Sequence, residues 1–170
     1  PNSPTVFACS FRGAIHLTTN KRGPLISYTS MSSVVTTYRF RLYPTRNQVR
    51  LMNETIETCR LLYNNLLDDR IENRTECFAQ KKILTAVRKD DKFLKAVHSQ
   101  VLQDVAFRLD KAYGAFFARL SRYRKLKRKG RYNSFTYPQL GGFKIVDGKL
   151  RLSKVGSVKM KLHRAIEGTP

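Results

Sequence analysis

Residues 34–48 read Val-Val-Thr-Thr-Tyr-Arg-Phe-Arg-Leu-Tyr-Pro-Thr-Arg-Asn-Gln. Tyr38, Phe40 and Leu42 alternate with Arg39 and Arg41, so an extended chain here has one apolar and one cationic face. Pro44 ends the strand, because proline supplies no backbone N–H to a sheet ladder. Thr45 stands three residues before Gln48, the spacing at which a hydroxyl and an amide cap each other's backbone at a helix start. Val49, Met52, Ile56, Cys59, Tyr63 and Leu66 then recur at helical intervals, a buried stripe about five turns long. A strand therefore runs directly into a long amphipathic helix. Cys59 on that stripe reads as a small core residue.

Beyond the helix, a polar break is expected from Asp68-Asp69-Arg70 to Arg74-Thr75-Glu76. A shorter helix follows with Phe78, Ile83, Leu84 and Val87 as its apolar face. Asp90-Asp91 closes it, and Phe93, Leu94 and Val97 make a further turn or two. Ser99 is placed to cap a second long helix whose stripe is Leu102, Val105, Leu109, Ala112, Phe116 and Leu120, running on into cationic sequence. After Gly130 the period changes. Ser134 to Tyr137, Phe143 to Val146, Lys149 to Leu152 and Ser157 to Leu162 are short and β-rich, and Asp147-Gly148 is a hairpin signal. The strand chemistry of the start returns at the end, which predicts an α+β fold: a small antiparallel β-barrel split by an inserted helical bundle. The expected divisions are 1–33 as an upstream or disordered segment, with Met31 a candidate start, 34–44 with 131–168 as the barrel, and 45–130 as the helical insertion with a basic end.

Charge locates the candidate site. Between Arg119 and Arg131 eight cations stand in thirteen positions, Arg119, Arg122, Arg124, Lys125, Lys127, Arg128, Lys129 and Arg131, with no acid among them. The chain carries +21 overall, from 33 Lys+Arg against 12 Asp+Glu. Residues 54–110 are balanced, whereas 111–170 hold sixteen basic residues against Asp147 and Glu167. An excess confined to one end suits a single cationic surface whose partner is a phosphate backbone, since binding there releases condensed counterions. The alternative is a solvated charge run. No apolar run approaches the roughly eighteen residues of a membrane span. Cys9, Cys59 and Cys77 are an odd set with no paired spacing, and His16, His98 and His163 are scattered, so neither a disulfide framework nor a metal site is suggested, and a reducing interior is the easier home.

Several strings in order resemble one family. They are Tyr38-Arg39-Phe40-Arg41-Leu42-Tyr43-Pro44-Thr45 before Gln48, Cys59-Arg60-Leu61-Leu62-Tyr63-Asn64, and Ser99-Gln100-Val101-Leu102-Gln103-Asp104 with Ala112, Phe116 and Phe117 further on. Phe135-Thr136-Tyr137-Pro138-Gln139 and the stretch from Gly148 to Gly156 complete the set. Together, over about Val35 to Gly168, they resemble the N-terminal half of the OrfB/TnpB transposon proteins, RNA-guided DNA nucleases related to type V CRISPR effectors. The resemblance implies a wedge-like barrel split by a recognition-like helical bundle whose opening helices are described as helix-turn-helix. It implies two partners, a guide RNA held largely by shape and phosphate and double-stranded DNA beside a short motif, with no membrane.

By the same resemblance, Ser99, Gln100 and Gln103 face the motif duplex, where helix N–H groups suit phosphate and glutamine can pair with adenine. Thr136, Tyr137 and Gln139 form a second wall. Arg119, Arg122, Arg124, Lys125, Lys127, Arg128, Lys129 and Arg131 take RNA or heteroduplex phosphates, while Tyr123 and Tyr132 stack on bases or pack. The family's RuvC-type nuclease, with its metal-holding carboxylates and zinc-binding cysteines, begins just after the position of Gly168. No catalytic residue and no cofactor is therefore expected in this chain, magnesium and zinc belonging to the nuclease half. The expectation is a nucleic-acid-binding fragment of a prokaryotic cytoplasmic, nucleoid-associated protein. The alternatives are part of an active endonuclease, or a nuclease-dead transcriptional repressor.

Overall fold

The computed structural model describes the backbone of Gly13–Ile15 and Val34–Thr36 and residues 40–166. The expectations for Tyr38, Arg39 and most of residues 1–33 fall outside these. In chain order the elements are strands β1 (Gly13–Ile15), β2 (Val34–Thr36) and β3 (Arg41–Tyr43), then helices α1 (Arg46–Glu72), α2 (Cys77–Val87), α3 (Lys92–Ala96) and α4 (Ser99–Phe117). Strands β4 (Phe143–Val146), β5 (Lys149–Leu152) and β6 (Gly156–Lys161) follow. The chain divides into two compact units, one of Pro1–Tyr43 with Met160–Pro170 and one of Pro44–Lys159.

In the smaller unit β1 and β2 pair antiparallel, with Gly13 opposite Thr36. The alternation at the first strand is present: Phe40 and Leu42 are buried, whereas Arg41 and Tyr43 are exposed. The Phe40 ring meets His163 edge-on, 5.2 Å between centroids.

The larger unit begins with the predicted capping box. The Gln48 backbone N–H donates to Thr45 Oγ1 (3.4 Å), and the Thr45 N–H donates to Gln48 Oε1 (3.0 Å). Gln48 Nε2 also reaches the Ser157 carbonyl at 2.8 Å, so the cap ties α1 to β6. Met52, Cys59, Tyr63 and Leu66 of the stripe are buried and Val49 and Ile56 half-buried. The core of this unit lies chiefly where α1 packs on α4, with α2 also against α4. Burial pushes the Cys59 thiol up to about 12, which keeps it an uncharged core group.

The helical boundaries correct four expectations. Asp68-Asp69 does not interrupt α1, which continues to Glu72. Instead the Asp69 carboxylate organises the turn beyond, accepting from Gln80 Nε2 (2.8 Å), Asn73 Nδ2 (3.0 Å) and Thr75 Oγ1 (3.0 Å). These bonds, Gln80's above all, hold it below the ordinary carboxylate range. Because Gln80 also donates to the Leu66 carbonyl at 2.7 Å, it takes the inward position on α2. The buried face of α2 is accordingly Cys77, Gln80 and Leu84, and Phe78, Ile83 and Val87 are exposed. Asp91 opens α3 rather than merely ending α2, accepting from the Phe93 and Leu94 N–H groups at 2.7 and 3.1 Å. The residue capping α4 is His98, without a side-chain bond, and Ser99 is the first helical residue.

The far end of α4 also differs. Leu102, Val105 and Leu109 are buried as the stripe requires, but the helix stops at Phe117 and does not continue through Leu120. Arg119 adopts a left-handed backbone (φ 59°), the geometry usually given to glycine after a helix. Its N–H donates to the Phe116 carbonyl and the Leu120 N–H to the Ala115 carbonyl, both at 2.9 Å, satisfying the last turn. Leu120 is thereby carried off the stripe into solvent.

The sheet is open, not a closed barrel. Its order is β3-β6-β5-β4, with β4–β5 and β5–β6 antiparallel. Asp147 and Gly148 both have positive φ (50° and 67°), the type I′ hairpin that their chemistry predicts. Closure fails because residues 134–137 form no strand. Arg108 of α4 donates from Nη1 to the Ser134 carbonyl (2.9 Å) and from Nη2 to Thr136 Oγ1, and Phe135 and Tyr137 pack on the helical core. The segment lies along α4 instead. Leu150, Leu152 and Val158 are buried on one face of the sheet, and Val155 is buried in the turn between β5 and β6. On the exposed positions Lys144 faces Arg151 and Lys149 faces Lys159 in register.

Candidate nucleic-acid interface

After the α4 cap the chain runs without regular structure from Ser121 to Gln139, and two side chains of α1 anchor its basic part. Asn64 of α1 accepts from the Lys127 N–H at 2.8 Å and donates from Nδ2 to the Lys127 carbonyl at 3.2 Å. Arg60 donates to the same carbonyl at 2.8 Å while holding Glu57 through two bonds of 3.0 and 2.6 Å. Arg60's bonds, helped by Lys129, hold the Glu57 carboxyl below its ordinary range. A cleft of about 1030 Å³ separates Leu67, Asp68 and Ile71 of α1 from Ser121–Arg128 and Arg131.

Six of the eight cations, Arg119, Arg122, Lys125, Arg128, Lys129 and Arg131, are exposed. Arg124 is half-buried and donates to Ser121 Oγ; Lys127 is half-buried with Nζ 5.7 Å from the centre of the Tyr63 ring. Among the described residues none of the eight lies within 4.0 Å of a carboxylate oxygen. The two tyrosines part company. Tyr132 is buried against Tyr63, and burial pushes its hydroxyl up to about 12. Tyr123 is half exposed and stands edge-on to Phe116, 5.2 Å between centroids.

The second predicted group meets at the start of α4. Gln100 Nε2 donates to Gln139 Oε1 at 2.5 Å, and Thr136 is held beside the same helix by Arg108, which is itself paired to Asp104 at 2.7 Å. Gln103, Thr136 and Gln139 are exposed; Ser99 and Gln100 are half-buried. Tyr137 supports them from beneath. Its hydroxyl donates to the Ser153 carbonyl at 2.7 Å, burial pushes that hydroxyl up to about 12, and its ring lies 5.6 Å from His98. The close approach needs Gly142, where an added Cβ would fall 2.3 Å from Tyr137 Cδ1. Burial, with Arg88 and Lys154 nearby, holds the His98 pKa below its ordinary value.

Sequence reasoning missed Asn64, Arg60 and Arg108. Asn64 carries no local signal, because its partner lies 63 residues away. Arg108 had one, the i,i+4 spacing from Asp104. Among the described residues no group of three or more His, Cys, Asp or Glu side chains converges as a metal would require, and no helix is long and apolar enough to cross a membrane.

Residues 31–77, which include β2, β3 and α1, match a helix-turn-helix domain profile, HTH_OrfB_IS605. Over 132 residues, 73% of the chain, the sequence is 30% identical to a Streptomyces pristinaespiralis protein named "Putative RNA-guided DNA endonuclease". The chain spans about a third (33%) of that relative's length. Both matches support a likeness to the N-terminal, helix-turn-helix region of the OrfB/TnpB family.

Proposed function

We propose that this chain is a nucleic-acid-binding module that holds a guide RNA and contacts motif-flanked duplex DNA, the phosphodiester chemistry belonging to a nuclease region of the kind its relative's name describes. The observation that carries the reading is the basic strap. Its position is fixed through a backbone amide and carbonyl at Lys127, which leaves the cationic side chains without carboxylate partners among the described residues and available to phosphate. A merely solvated charge run would need no such anchoring. Readout of the DNA motif falls to the exposed amides of Gln103 and Gln139, with Gln100 fixing Gln139 and Ser99 and Thr136 at the margin. Tyr132 and Tyr137 hold the two surfaces from within.

The test is the salt dependence of binding. If about six phosphates are contacted, log affinity falls against log salt with a slope of roughly −4 to −5. Replacing Arg122, Arg124, Lys125, Lys127 and Arg128 together with Gln should flatten that slope and leave the circular dichroism spectrum intact. An unchanged slope would remove the strap from the interface. Gln103→Ala should weaken discrimination between DNA motifs and leave RNA affinity alone.

A further inference from the structure

Where α4 ends, four aromatic rings are in contact: Tyr113 with Phe117 (6.2 Å between centroids) and Tyr123 (6.3 Å), and Phe116 with Phe117 (5.5 Å) and Tyr123 (5.2 Å). Such a cluster ordinarily belongs to a core, yet Phe117 is 75% exposed and Leu120 82%. A leucine two residues past a helix cap of this type usually folds back on the last turn. Here the position it would cover is Gly114, beside which a Cβ meets nothing within 4 Å. The two capping bonds, at 2.9 Å each, hold the backbone of Arg119 and Leu120 against the last turn, and the Leu120 side chain stays in solvent.

We infer that Phe117, backed by Tyr113 and Phe116, is a stacking platform for an unpaired nucleobase of the strand whose phosphates lie on Arg119, Arg122 and Lys125. The inference rests on the proposed phosphate-binding role of the strap. Two features select the occupant. The cations that follow Phe117 in the chain, Arg119, Arg122 and Lys125, are exposed and have no carboxylate partner among the described residues, which favours a polyanion, and the apolar patch includes an exposed ring backed by other rings. Single-stranded nucleic acid combines negative charge with flat apolar faces, and stacking on such rings is indifferent to base identity. A duplex hides those faces, and a protein partner with an acidic rim would offer no matching planes.

The chain contains no tryptophan, so Phe117→Trp places a sole indole at the platform. Its emission should be quenched by a single-stranded 12-mer RNA and should not change with heparin, which offers the cations a polyanion without bases. Phe117→Ala should weaken binding of the same 12-mer about tenfold, within the range of base–aromatic stacking, and leave heparin binding and the salt slope as they were. Indole emission unmoved at saturating RNA, or an alanine variant that binds within twofold of the parent, would overturn the platform while leaving the strap standing. Failure of the parent chain to bind either polyanion would overturn both.

Discussion

The helical region from α1 to α4 and the strap that follows it treat charge in opposite ways. Over residues 54–110 acids and bases balance, and ion pairs join Arg60 to Glu57 and Arg70 to Asp110 (2.6 and 2.9 Å), with Arg108 bound to Asp104 at 2.7 Å. Each of these arginines also anchors something else: the Lys127 carbonyl, the Gln80 amide, or the 134–136 segment. Charge there builds the fold. In the strap it forms no ion pair within 4.0 Å among the described residues, and the backbone of Lys127 and the ring of Tyr132 do most of the holding. Stability and binding should therefore separate under mutation.

The largest expected loss of stability lies under α4. Leu102 is fully buried, and Leu102→Ala should cost about 3 kcal/mol in denaturant unfolding, from lost burial and the cavity left behind. Next comes the anchor between the regions. Asn64→Ala removes two bonds to Lys127 and should cost about 1–2 kcal/mol. Limited trypsin digestion should then cut within 122–131 faster than in the parent; equal rates would mean that the anchor does not hold the strap. Thr45→Ala, which deletes half of the capping box, should cost about 1 kcal/mol.

Acid should act through the same helical bonds. The Asp69 pKa is lower in the folded chain than its ordinary 3.8, so its stabilising effect is complete above that value and is lost as pH falls through the folded pKa. Asp69→Asn should flatten the decline in melting temperature below about pH 4. The smallest effect on the fold should come from the five-site glutamine variant of the strap, whose melting temperature should stay within a degree or two of the parent's or rise as self-repulsion is relieved. A large drop would show that those cations bear structural load, and the contrast between the two regions would fail.

What could be read from the sequence was what depends on near neighbours. Thr45 and Gln48 cap each other three residues apart, and Asp147-Gly148 turns a hairpin because both residues tolerate positive φ. The basic strap and its neighbouring tyrosine were visible in composition alone. What depended on distant partners was not. Gln80 turns inward on α2 because Asp69 and the Leu66 carbonyl need a donor, and apolar counting alone puts Phe78 and Ile83 there instead. Arg119 ends α4 in a conformation that its side chain does not favour, so the apolar stripe alone carries the helix on to Leu120. Residues 134–137 have strand composition, but Arg108 engages them from a helix 26 residues earlier, and the barrel stays open.

An open sheet has two outer strands, here β3 and β4, and the rim of a sheet is where other chains can add on. Arg41 is exposed on one and Lys144 on the other, with Lys144 set opposite Arg151. A second molecule arriving by strand addition would bring the same lysines and arginines against these. Mutual repulsion at the rims should thus guard against fibrillar self-association, a safeguard that high salt would weaken.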